Sequence, residues 1–120
     1  MAKNLEISYL LDFYSEMLTQ KQREVIEYYY NDDLSLSEIA MNEGITRQGV
    51  RDSIKRAESQ LLEMEERLGL CKRFREMQEG LDRIIEAAQD ILQYNQESFC
   101  APRLDEKAGL ILETAQRLNQ

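Results

Sequence analysis

Between Thr46 and Ala57 the chain places Arg47, Arg51, Lys55 and Arg56 beside a single acid, Asp52. Spacings of four put Arg47, Arg51 and Lys55 on one side of a helix, with Gln48 and Asp52 next to them. A guanidinium presents two parallel donors that match guanine O6 and N7, and a glutamine amide matches adenine, whereas Lys55 and Arg56 suit phosphate oxygens. Lys21 and Arg23, earlier in the chain, could add contacts to a nucleic-acid backbone. The competing reading of Arg47, Gln48, Arg51, Asp52, Lys55 and Arg56 is a solvated helix face with internal ion pairs, such as Asp52 to Arg56.

Other site chemistry is thinly supplied. The 120 residues contain no histidine, which removes the usual general base at neutral pH and the commonest nitrogen ligand of zinc or iron. Cys71 and Cys100 lie too far apart for a redox pair and have no partners to complete a metal site, so they read as reduced thiols. Adjacent acids such as Glu65-Glu66 and Asp105-Glu106 point in different directions on a helix and make no dyad. No catalytic residue, metal or cofactor is expected, and the chain does not read as an enzyme.

Helices must position the basic segment. With 42% hydrophobic residues, 32% charged, 5 Gly and 1 Pro, the composition suits an all-α protein with few turns. Ile7, Leu10, Leu11, Tyr14 and Leu18 form a first helical face. Thr19 and Gln22 have the spacing of a capping box, which predicts a helix over 20–30 with Val25, Ile26 and Tyr29 inward. Asn31-Asp32-Asp33 ends it. Ser35 and Glu38 form a second box opening a two-turn helix that Gly44 closes, and Thr46 caps a long helix over about 46–67. Val50, Ile54, Ala57, Leu61, Met64 and Leu68 are its inward face. A small Ala40 at the crossing, Gly44 in the turn, and Ile45 and Val50 sealing the angle meet the requirements of a helix-turn-helix.

The segments Leu18 to Ile26, Leu36 to Ala40 and Gly44 to Ala57 together resemble the promoter-binding C-terminal region of bacterial sigma factors, over about 40 residues. The whole chain, including Tyr28-Tyr29-Tyr30 and the helical tail, more closely resembles the small YlxM family of helix-turn-helix proteins of Gram-positive bacteria. That resemblance implies a DNA-binding protein encoded beside signal recognition particle genes, with components of that particle as further partners. The expected domains are a sigma-region-4-like unit over 1–68, with its helix-turn-helix core at 36–57, and a helical tail over 69–120.

Charge complicates the picture. The net charge is −8, and the acidic excess lies on both sides of a neutral middle. Typical duplex binders make roughly 6 to 10 phosphate contacts, and one copy of the basic segment offers four cations, so a homodimer is expected. In the tail, Phe74, Met77, Leu81, Ile84, Ala88, Ile91 and Asn95 keep a heptad rhythm, widened by Ile85 and Leu92; Leu104, Ala108, Ile111, Ala115 and Leu118 repeat it after Pro102. These stripes either fold on each other and on the long helix within one chain or bury at least one seam against a second subunit. No apolar run is long enough for membrane insertion, and Glu6 interrupts what a signal peptide would need, so a cytoplasmic protein is expected. Two functions stay open. One is a regulator that binds DNA rather than RNA; the other is a protein or ribonucleoprotein adaptor of the signal recognition particle system that does not bind DNA.

Overall fold

A computed structural model describes residues 2–120. Among them six α-helices follow one another and no strand occurs. The first four start where a side chain takes up a free first-turn amide. Asn4 caps α1 (Leu5–Tyr14) by accepting from Glu6 N at 2.9 Å. The expected Thr19–Gln22 box opens α2 (Gln20–Tyr30), with both reciprocal bonds at 3.2 Å. The Ser35–Glu38 box opens α3 (Leu36–Glu43). Thr46 Oγ1 accepts from Gly49 N at 3.0 Å and starts α4 (Arg47–Leu68), which runs 22 residues without interruption. Beyond Gly69 come α5 (Leu70–Tyr94) and α6 (Pro102–Leu118).

The chain divides into two compact units, the first extending to Lys72. Its core is built along α4. Ala57 and Leu61 pack with Ile7, Leu10, Leu11 and Tyr14 of α1, while Val50 and Ile54 pack with Val25 and Tyr29 of α2 and Ile39 and Ala40 of α3. The inward face ends earlier than its periodicity suggests: Met64 is half-buried, but Leu68 is 50% exposed because it sits in the last turn before the left-handed Gly69. Ile45 likewise does not seal the helix-turn-helix angle. It stays 39% exposed, and Val50, fully buried, closes the angle from α4.

Two polar clusters tie distant segments of this unit together. Tyr14 Oη donates to Glu65 Oε1 at 2.6 Å and accepts from Leu70 N, and Glu65 also accepts from Cys71 N and Lys72 N. A carboxylate therefore caps the start of α5, which favours negative charge there. Burial first, and then the bond to Glu65, push the Tyr14 phenol up, so it remains a proton donor. At the other end Lys3 pairs with Asp33 and lies over the Tyr29 ring. Asn4 N donates to Tyr30 Oη, which donates onward to Glu58 Oε2 at 3.3 Å.

The second unit holds α5 from Arg73 onward and all of α6. The chain reverses through a π-helical turn over Asn95–Phe99 and a left-handed Cys100, and Asn119, the C-cap of the returning α6, donates to Asp82 of α5 at 2.9 Å. Asn95 lies on the expected seam, yet its amide builds this corner. It donates to Ala101 O and Asp105 Oδ1, both at 2.8 Å, and accepts from Ala101 N at 3.0 Å. That satisfies a fully buried amide and pins the start of α6, where Ala101 supplies no side-chain cap. Small residues fill the inner faces, with Ala88, Ala108 and Ala115 buried, while Met77, Ile84, Ile91, Leu104, Ile111 and Leu118 stay exposed. Only part of each heptad stripe is thus consumed within this unit.

Two stability measurements follow from the first unit. Gly44 closes α3 at φ 68°, ψ 33°, a conformation in which an added Cβ is strained although it would meet no neighbour within 4 Å. Gly44→Ala is expected to cost about 1–2 kcal/mol, read as a lower urea midpoint with unchanged slope. Burial is the chief cause that raises the Glu58 carboxyl above its ordinary value, against the lowering effects of Tyr30 and Lys55. A raised carboxyl in the folded state opposes folding above that value and contributes nothing once both states are protonated. Glu58→Gln, which still accepts from Tyr30, should therefore raise the melting temperature at pH 7, and the gain should vanish as pH falls below about 4.

Candidate nucleic-acid interface

The helix-turn-helix is formed by α3, the turn Gly44-Ile45-Thr46, and the front of α4. Ile45 N donates back to Ala40 O at 3.1 Å, and Thr46 then takes the extended conformation of an N-cap at φ −78°, ψ 158°. The left-handed glycine followed by an extended cap redirects the chain within three residues, and Val50 and Ile54 fix the new direction by burial against Ile39 and Ala40. Because the buried side of α4 is used up in this way, the opposite side of its first turns faces out.

Arg47, Gln48, Arg51, Asp52, Lys55 and Arg56 are all exposed, on the free side of α4. Three of them are brought together: Arg47, Gln48 and Arg51 line a cleft of about 540 Å³ with Ser35, Leu36 and Ser37 from the start of α3. Arg47 Nη1 donates to Ser37 Oγ at 3.4 Å, which joins the two helix starts. The first turns of α3 and α4 both line the cleft, so two positive helix ends and two guanidinium groups act on one volume. Such a cleft suits a phosphate beside a base edge. The contribution of Ser35 and Ser37 is absent from a reading of the basic segment alone. Its signal is the capping box at Ser35, which marks a helix start just before the recognition helix.

The other candidates are placed differently. Gln48 Nε2 donates to Asp52 Oδ1 at 2.9 Å, so Asp52 pairs back toward the start of the helix and not with Arg56. A base that took the Gln48 amide would have to displace this bond. Lys55 is close enough to Glu58 to lower its carboxyl, so part of its field is spent within α4. Among the described residues no ion pair engages Arg51 or Arg56. Lys21, at the start of α2, is paired at 3.0 Å with the largely buried carboxylate of Glu43 of α3. Arg23 is half-buried on α2, and neither Lys21 nor Arg23 lines the cleft.

Cys71 is buried in the first unit's core and Cys100 is exposed at the corner of the second. Among the described residues no helix is long and apolar enough to cross a membrane.

Comparisons with known proteins agree with the geometry of the α3–α4 pair. A family model described as "Putative helix-turn-helix protein, YlxM / p13 like" (UPF0122) matches residues 1–99. The chain is 52% identical over 80 residues to a UPF0122 protein of Thermoanaerobacter sp. (strain X514), a match covering 67% of this chain and 68% of the relative. It is 47% identical over 85 residues to a UPF0122 protein of Halalkalibacterium halodurans, covering 71% of this chain and 78% of the relative. A UPF0122 protein of Bacillus cereus (strain AH187) is 50% identical over 78 residues, covering 65% of this chain and 71% of the relative.

Proposed function

This chain belongs to the UPF0122 family of YlxM- and p13-like helix-turn-helix proteins, and from that premise we propose that it is a cytoplasmic, non-enzymatic DNA-binding regulator that acts as a homodimer within the signal recognition particle system. The observation that carries the reading is the cleft in which Arg47, Gln48 and Arg51 meet the start of α3. Arg51, which no ion pair engages among the described residues, reads a base edge in the major groove, Arg47 spans base and phosphate, and Lys55 and Arg56 rest on the backbone. Lys21 contributes to the backbone once it leaves Glu43, and Arg23 contributes at the edge of the contact. DNA is favoured over RNA because an exposed helix front suits a wide major groove, whereas the major groove of an RNA duplex is deep and narrow.

One observation favours a second reading, an adaptor that binds protein or ribonucleoprotein without DNA. The chain carries 23 acidic against 15 basic residues, and such a field repels a polyanion at long range. The domain reading follows the same division of labour: a helix-turn-helix unit over 1–68 for recognition and a tail over 69–120 for assembly.

Selection from a genomic DNA library at low and physiological salt separates the two. The regulator is expected to enrich a sequence, and Arg51→Ala should weaken binding to it by about 1–3 kcal/mol and relax preference at one position. Lys55→Ala should weaken all sequences alike and lower the salt slope by about one. Both positions are exposed, so both variants should keep the wild-type circular dichroism. No enrichment at either salt, with recovery of signal recognition particle components that survives nuclease, would decide for the adaptor.

A further inference from the structure

The second unit leaves one face open. Ile84, Leu110, Ile111 and Leu118 line one groove between α5 and α6, and Ile91 and Leu104 line another toward the corner. Ile84 and Ile91 are one heptad apart on α5, and Leu104, Ile111 and Leu118 are two heptads of α6, so both stripes run along the same side of the hairpin. Each of these six side chains is 44–63% exposed. Tyr94 and Phe99 extend the face at the corner with their rings 5.6 Å apart. Within the two grooves Asp90 is the single charged residue, which disfavours a nucleic acid or a strongly charged protein as occupant.

We infer that this face is closed by a second copy of the same hairpin, so that two chains form an antiparallel four-helix bundle through Ile84, Ile91, Leu104, Ile111 and Leu118. The small residues Ala88, Ala108 and Ala115 are buried in each hairpin, Ala115 also lining the groove, which leaves the large heptad residues exposed for the partner. Area supports a second copy. At these exposures the eight side chains offer roughly 100 Å² each, or about 800 Å² per chain, the usual share of one partner in a stable interface. Shape supports it as well, because two parallel heptad stripes flanking a groove are matched by the same pair turned over a two-fold axis. The inference rests on the homodimer in the functional reading, whose DNA contacts it does not involve.

Sedimentation equilibrium across micromolar concentrations is expected to give about twice 14.1 kDa. Ile84→Glu and Ile111→Glu should each weaken association at least tenfold. Because both sites are nearly half exposed, each variant should retain wild-type helicity. Amide exchange of the wild-type protein supplies a measurement that does not depend on how the variants fold: raising concentration should slow exchange in α6 and in α5 from Leu81 onward. A 14.1 kDa mass at every concentration overturns the inference, as does a dimer that both glutamate variants preserve or whose protection falls outside the hairpin. Since DNA selection and mass are read separately, a monomer that enriches a sequence rejects this surface and leaves the base-reading role of Arg51 standing.

Discussion

One apolar stripe on α4 sustains the first unit. Val50, Ile54, Ala57 and Leu61 are each at 0% exposure, and they serve two clusters in succession, the front pair against α2 and α3 and the rear pair against α1. Burying a large aliphatic side chain is worth roughly 1.5–3 kcal/mol, so three of these four account for a stabilisation comparable with the whole margin of a small domain. The recognition helix is thus not an appendage on a scaffold. It is the rod around which the scaffold forms, and its outward direction is as rigid as the core itself.

That rigidity bears on what the basic cleft can do. Arg47 and Arg51 project from a helix held on its opposite side from Val50 to Leu61, and α3, which supplies the other wall, is locked to the same stripe through Ile39 and Ala40. Little reorganisation is needed to present them, which lowers the ordering cost of binding. Electrostatics works the other way. Glu43 holds Lys21, Asp52 holds Gln48, and Lys55 stands beside Glu58, so local acids temper several candidate contacts. If this face binds a polyanion as proposed, the contact must depend on a close geometric fit more than on long-range attraction.

Much of this was legible in the sequence because it is written in local rules. Capping boxes at Thr19 and Ser35, the left-handed Gly44 and the Thr46 cap act over three or four residues, and each boundary they predict is found within a residue or so. The basic face of α4 was legible for the same reason. What was not legible depends on contacts between distant segments. The Lys21–Glu43 pair, the Tyr14–Glu65 cap on α5 and the cleft wall from Ser35 and Ser37 link residues whose pairing no periodicity announces. Leu68 and Ile45 show the opposite failure, since each fits an apolar pattern yet lies where the chain turns and is covered only in part.

The tail shows how one pattern can encode two surfaces. Its heptad rhythm contains small residues, Ala88, Ala108 and Ala115, and large ones, Ile84, Ile91, Ile111 and Leu118, and periodicity does not separate them. Packing does. Alanines are buried where α5 and α6 meet, the larger residues border the grooves, and Asn95, which a seam would leave unsatisfied, instead makes three bonds at the corner. A buried amide of this kind is satisfied only when the corner has its present shape, so it fixes how α6 returns and hence which residues of both helices share a face. The polar residue specifies the hairpin, and the apolar residues it sets outward are left to define what the hairpin meets.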